Sequence, residues 1–332
     1  MLSKKIGIDL GTTRVVVYVK GEGVVVNEPA LLATDEKGSR ILAVGAAASE
    51  LLGRGTRARA VHLARDGDGL DYGVAGTMLH HLIGRVCGRQ RIFRPDVMLS
   101  IPAQVTGAER RAVLEATMQA GAKTAYLIEK PLAAAIGANI PVSSVRAVVV
   151  CNLGAASSDA AVIAMGDVVS MERVGPGGTA LDQMILSAVA ERQGVRIAPS
   201  EAEDLKVRLA TATLPAADGP GVTIAVRAGH PSTVTISAAE VSSAIAPALD
   251  EIASGLARLI DQVTPEQRSQ IAAFGVVLTG GGAQLRGVSG FLSGRLGLPV
   301  KIARDPQACI AVGTGMALEN LQVIRRGQHY MT

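Results

Sequence analysis

Residues 6–20 read IGIDLGTTRVVVYVK, and residues 148–169 read VVVCNLGAASSDAAVIAMGDVV. Each stretch is an apolar, β-branched run with a polar residue at its end, then a glycine-containing turn and a second apolar run, the pattern of a tight hairpin. In the first, Asp9 precedes the turn Gly11-Thr12-Thr13; in the second, Asn152 and Gly154 hold the corresponding places. Such a turn presents backbone N–H groups and small hydroxyls to a phosphate, while an acid at the strand end holds a hydrated cation. Two of them facing each other make a phosphate clamp. The second copy is chemically altered, with Asn152 for the acid and Ala155 and Ala156 in the turn. A clamp of this kind suits holding a nucleotide without cleaving it.

The bulk properties set bounds on that reading. At 332 residues the chain exceeds the size at which a single core stops growing, so two lobes are expected. A hydrophobic content of 48% with 19% charged residues describes a folded chain with a large core. The net charge is only +4, the basic residues are scattered, and the chain has no Trp, three Phe and four Tyr. Nucleic acid is therefore excluded as a partner, since both the basic stripe and the aromatic platforms of such binders are missing. Cys87, Cys151 and Cys309 are far apart and fit no metal-ligand spacing, so they read as apolar thiols in a reducing cytosol. No window approaches the ~20 apolar residues that span a bilayer, and MLSKK leads straight into a strand without a signal segment.

Strand and helix patterns alternate along the chain as in α/β lobes. VVVNEPALLA reads as a strand, AVGAAASELL as a short helix, and residues 53–69 as irregular connections. TMLHHLIGRV, GAERRAVLEATMQAG and LDQMILSAVAERQG read as helices, VMLSIPA as a buried strand, and AYLIEKPLAAAIGA as a strand passing into a helix. SEAEDLKVRLAT is a further helix. VTIAVRA and TVTISAAE pair as strands before a long helix over 241–263, whose Ile245, Leu249, Ile252, Leu256 and Leu259 keep one apolar stripe. VVLTGGGAQLRGV gives strand, glycine turn and helix, and CIAVGTGMALENL a terminal helix. These boundaries predict a first lobe over 1–145, to which a C-terminal helix over 308–332 returns, and a second lobe over 146–307.

IGIDLGTT, AYLIEKPLAAAIGANIPV, VVLTGGGAQLRGV and ARDPQACIAVGTGMALE resemble the phosphate-1, connecting, adenosine and second connecting segments of MreB, the bacterial actin homologue. The similarity is colinear from about residue 5 to residue 320, and KGEGVVVNEPALLA and the stretch from IFRPDVMLSIPA to AYLIE are closer to MreB than to actin, sugar kinases or heat-shock chaperones. The resemblance implies an actin-like (ribonuclease H-like) α/β fold with two lobes and four subdomains around a nucleotide cleft. It also implies ATP or ADP with Mg2+ as ligands, head-to-tail homopolymers at the inner face of the cytoplasmic membrane, and guidance of cell-wall elongation proteins.

By the same resemblance, Asp9, Gly11, Thr12 and Thr13 receive the β-phosphate, and Asp9 holds Mg2+ through water. Arg14 departs from the family pattern, either supplying a cation there or crowding the site. Gly280, Gly281 and Gly282 stand where close backbone approach to a nucleotide calls for residues without a Cβ. Glu203 and Lys206, at i and i+3 on one helix face, match the pair that flanks adenine and ribose; taken alone they would be an ordinary solvated ion pair. Gly154 belongs to the second phosphate turn. Gly177 and Gly178, in the stretch GGTALD, match the segment that closes around the phosphates, and a plain glycine turn capping the next helix is equally compatible.

The family positions its attacking water with two acids, and this chain has neither. Asn152 occupies the strand-end position and Lys130 the position before the proline of IEKP, while Glu129 remains one residue earlier. Asn152 accepts a hydrogen bond from a metal-bound water but carries no charge, and a charged Lys130 cannot accept a proton. Lys130 can instead pair with the terminal phosphate and partly replace a missing cation. Since phosphoryl transfer is catalysed by positioning and charge stabilisation, the ATPase that the family implies is expected to be slow or inactive. Tight binding with little turnover and a vestigial cleft are the two readings of that loss.

In RQRIFRP the apolar pair Ile92 and Phe93 sits among Arg89, Arg91 and Arg94. The resemblance places a protruding loop there, and an apolar pair in a basic collar suits the headgroup region of an anionic leaflet; an ordinary strand start with a core Phe is the alternative. Two functional classes follow: a nucleotide-dependent filament scaffold for wall synthesis, peripheral at the inner membrane, or a non-polymerising, nucleotide-sensing relative acting as adaptor.

Overall fold

The computed structural model describes residues 3–63, 71–88, 94–102, 105–213, 221–228, 230–321 and 330–331. It divides into two compact units, Met1–Ser144 with Met165–Asp167 and Ala308–Thr332, and Val145–Ala164 with Val168–Gln307.

In the first unit, β1 (Lys5–Leu10), β2 (Arg14–Val19) and β3 (Gly23–Pro29) form an antiparallel meander. A small antiparallel sheet follows, with β4 (Leu31–Thr34) between β5 (Ile41–Val44) and β6 (Arg59–His62), and α1 (Ala46–Gly53) links the last two. Strand β6 lies in the segment read from sequence as irregular. Its four residues, RAVH, are too few and too exposed to show an alternating pattern. Then come α2 (Tyr72–Cys87), β7 (Asp96–Ile101), α3 (Gly107–Gln119), β8 (Thr124–Glu129) and α4 (Lys130–Gly137). The N-termini are set by local chemistry. Asp71 accepts from the amides of Gly73 and Val74 ahead of α2, and Thr106 and Glu109 cap α3 reciprocally. Strands β1, β7 and β8 are mutually parallel, giving the order β3-β2-β1-β7-β8. Ile6, Ile8, Leu99 and Leu127 bury against Met78, Leu79 and Leu82 of α2.

The second unit repeats this plan. It contains β9 (Val148–Leu153), β10 (Ser157–Ala164), β11 (Asp167–Pro176), α5 (Gly178–Gln193), α6 (Pro199–Leu209) and the antiparallel pair β12 (Gly221–Ala228) and β13 (His230–Ser237). Helices α7 (Ala238–Asp261) and α8 (Pro265–Phe274), strand β14 (Val276–Thr279), a 3-10 turn over Gly281–Gln284, helix α9 (Val288–Leu296) and strand β15 (Val300–Ile302) complete it. Its sheet order, β11-β10-β9-β14-β15, is that of the first unit, again with an antiparallel hairpin and two following parallel strands. The apolar stripe expected of α7 is buried in full, and Ser237 and Glu240 form the capping box that starts the helix. Helix α8, absent from the sequence reading, is nucleated by Thr264 and Gln267 with Pro265 in its first turn.

The chain then returns to the first unit through α10 (Cys309–Glu319), and β16 (Tyr330–Met331) adds an antiparallel edge to β8. The terminal helix is thus shorter than the span 308–332 read from sequence. It packs on α4 at a spacing only glycine permits: a Cβ on Gly313 would collide with the carbonyl of Ala133, and one on Gly137 with that of Cys309.

Candidate functional site

The two hairpin turns close identically. In the first unit Gly11 donates its amide to the carbonyl of Arg14 at 3.0 Å; in the second Gly154 donates to that of Ser157 at 3.0 Å. A Cβ on Gly11 would stand 2.5 Å from the Arg14 oxygen and one on Gly154 2.8 Å from the Ser157 oxygen, so both turns require glycine. Asp9 and Asn152 are the residues two before these glycines, each on the last turn of its strand's pleat before the chain reverses.

Around the first turn the parallel pairing of β1 with β7 sets Asp9 beside Ser100, and that of β7 with β8 sets Ile101 beside Glu129. Ser100 donates to Asp9 Oδ1 at 2.6 Å. Lys130, one residue past the end of β8 and first in α4, brings its Nζ to 3.2 Å from the same Oδ1 and donates to the carbonyl of Leu10 at 3.2 Å. Glu129 faces another partner, pairing with Arg110 at 3.3 Å. Arg14, left open between two roles by the sequence, lays its guanidinium on Asn27, with Nε on Oδ1 at 2.7 Å and Nη2 on the carbonyl at 3.0 Å. Thr12 is half-buried and Thr13 exposed at the turn.

In the second unit the register places Asn152 opposite Asp159 on β10. Sequence reading passed over Asp159 because it sits after the turn, where no motif marks it. Its carboxylate accepts from Ser157 Oγ at 2.6 Å and lies 3.7 Å from Arg173 Nε. Asn152 Oδ1 accepts a long hydrogen bond, 3.4 Å, from Thr279 at the end of β14. The start of α5 is tied to the turn: Gly178 donates to the Gly154 carbonyl and Thr179 to that of Ala155, both at 2.9 Å. Both amides at this helix N-terminus are therefore already used within the protein.

Lys206 on α6 does not pair with Glu203, which is exposed. It donates to the Gly178 carbonyl at 3.0 Å and forms an ion pair with Asp182 Oδ1 at 2.7 Å. Burial pushes the Asp182 carboxyl above its ordinary value of 3.8; Glu203 adds to the rise and Lys206 opposes it. The glycine triplet divides by cause. Gly280 has φ +82, and a Cβ there would lie 2.5 Å from the Leu153 carbonyl and 2.6 Å from Asn152 Oδ1. Gly282 likewise has Leu153 Cβ within 2.8 Å of its own Cβ position. Both positions pack closely against β9. Gly281 alone has room, its nearest neighbour being Gln307 Nε2 at 3.6 Å.

Burial pushes the Cys151 thiol strongly upward, which makes it an inert core residue. Ile92 and Phe93 lie outside the described residues. Among the described residues no helix is long and apolar enough to cross a membrane, and no group of three His, Cys, Asp or Glu side chains is placed to hold a metal. The donors near the first turn are partly committed within the protein. Mg2+ is held by anionic oxygen and water, and here Oδ1 of Asp9 already has Ser100 and the Lys130 ammonium on it, which leaves Oδ2 beside a resident cation.

The model of the MreB/Mbl protein family matches residues 3–326. The cell shape-determining protein Mbl of Bacillus subtilis (strain 168) is 34% identical over 325 residues, covering 97% of this chain and 97% of that protein. The cell shape-determining protein MreB of Escherichia coli (strain K12) is 36% identical over 333 residues, covering 97% and 95%. Among solved structures, MreB5 of Spiroplasma citri bound to ADP superposes with a TM-score of 0.87 at 28% identity, covering 96% of this chain and 97% of that one. The fold is accordingly the actin-like α/β fold.

Proposed function

The chain belongs to the MreB/Mbl family, and from that premise we propose that it is an adenine-nucleotide-binding, filament-forming cytoskeletal protein of cell-shape control whose ATP turnover is at or near background. The observation that carries this reading is the likeness over nearly the whole chain to proteins named for cell-shape determination and to a nucleotide-bound structure of the same fold. The turn over Gly11, Thr12 and Thr13 offers the two threonine hydroxyls to phosphate, and Lys206 and Glu203 with the open backbone at Gly281 serve the nucleoside. Catalysis is what the site lacks. Asn152 brings no charge, Lys130 stands where an acid would accept a proton, and Glu129 is held by Arg110.

Polymerisation is proposed through head-to-tail contacts of one subunit with the next, an open heterologous assembly. The filament would lie at the anionic inner face of the cytoplasmic membrane, attached through residues 89–94, and guide the proteins that elongate the wall. A non-polymerising, nucleotide-sensing adaptor is the second reading, since the Lys130–Asp9 pair suits holding a nucleotide without turnover. Sedimentation and electron microscopy of the purified chain with and without ATP separate the two. Filaments that pellet with ATP support the scaffold; a protein dispersed under both conditions belongs with the adaptor.

A further inference from the structure

We propose that the Lys130 ammonium is the resident counter-cation of the phosphate turn, so that this chain binds adenine nucleotide without a divalent metal ion. The inference rests on the nucleotide-binding reading above and deepens it. A metal-dependent phosphate site needs free carboxylate oxygens to hold a hydrated dication beside the polyphosphate. Here the one acid at the turn, Asp9, has its Oδ1 shared between the Ser100 hydroxyl at 2.6 Å and Lys130 Nζ at 3.2 Å. A dication at this point would find one carboxylate oxygen, Oδ2, still open and a fixed positive charge 3.2 Å from the other.

The placement of the ammonium follows from the backbone. Lys130 opens α4 directly after β8, with Pro131 fixing the first turn, and β8 is held in parallel register through β7 to β1. The Leu10 carbonyl, one residue before Gly11, takes one N–H at 3.2 Å, and Asp9 Oδ1 lies at ion-pair distance, also 3.2 Å. An ammonium has three donors, so donor capacity remains for a phosphate oxygen presented at the turn, and lysine serves phosphate as a point charge. The Lys130 side chain is 23% exposed.

Calorimetric titration of ATP and of ADP into the full-length protein, in excess EDTA and in excess Mg2+, tests this. The dissociation constants in the two buffers are expected to agree within about twofold. In Lys130→Gln, checked for folding by its thermal transition, binding in EDTA should weaken at least about tenfold. Binding that weakens tenfold or more when EDTA replaces Mg2+ in the parent overturns the inference and leaves nucleotide binding standing. A Lys130→Gln protein that binds in EDTA like the parent overturns it equally. No binding in either buffer overturns the nucleotide reading, and this inference with it.

Discussion

Lys206 on α6 reaches across to the first turns of α5, where its ammonium lies 2.7 Å from Asp182 Oδ1 and 3.0 Å from the Gly178 carbonyl. The pair fastens α6 to the segment that begins at the second hairpin turn, since Gly178 is itself bonded to Gly154. Both side chains are largely buried, at 19% and 15% exposure, so removing one leaves the other without compensation. Lys206→Met is expected to lower stability by about 1–3 kcal/mol at neutral pH, read by urea unfolding. The double variant with Asp182→Asn should recover part of that loss.

The same carboxyl gives a pH signature. Asp182 is raised above 3.8 by burial, so the folded state holds this proton more tightly than the unfolded chain. Its contribution to stability is present below the unfolded value and is lost as pH rises through the folded one. Relative to Asp182→Asn, the parent protein should therefore gain stability as pH falls from neutral toward 4. The difference between their unfolding free energies at several pH values measures it, and a flat difference contradicts the assignment.

The glycine triplet provides a test that separates packing from ligand approach. Gly280→Ala places a Cβ at φ +82 against the Leu153 carbonyl and should cost about 1–3 kcal/mol from the backbone conformation alone. Gly281→Ala meets only Gln307 at 3.6 Å and should change stability by less than about 0.5 kcal/mol. If a nucleotide approaches the backbone there, this second variant should nonetheless bind ATP at least about tenfold more weakly.

Much of this architecture is legible in the sequence, for identifiable reasons. The hairpins announced themselves because β-branched runs on either side of a glycine turn leave little choice of conformation, and the stripe of α7 because five large apolar residues recur at helical spacing. Strand β6 and helix α8 escaped because one is four residues long and the other buries only Ile271. At the site, spacing found Lys130 and Asn152, but partners needed three dimensions. Lys206 looked like a mate for Glu203 on its own helix and is instead drawn to Asp182 on another. Arg14 finds Asn27 across the meander. Such choices depend on strand register, which a single sequence does not display.

Membrane attachment is expected through Ile92 and Phe93. Burying both at an acyl boundary is worth about 3–6 kcal/mol before ordering costs, a weak hold for one subunit that a filament multiplies. Co-sedimentation with anionic liposomes should be steep in protein concentration and sensitive to salt, and Ile92→Ser with Phe93→Ser should abolish it while polymerisation in solution persists. Equal sedimentation of the double variant and the parent removes this segment as the anchor.

The central claim, nucleotide held without turnover, is tested most directly by following thermal unfolding and phosphate release on one preparation of the full-length protein with ATP. ATP should stabilise the protein by about 2.7 kcal/mol at a hundredfold excess over the dissociation constant, with phosphate release no faster than that of an Asp9→Asn control. An unchanged melting temperature at saturating ATP, or steady phosphate release that scales with protein and disappears in Asp9→Asn, would contradict it.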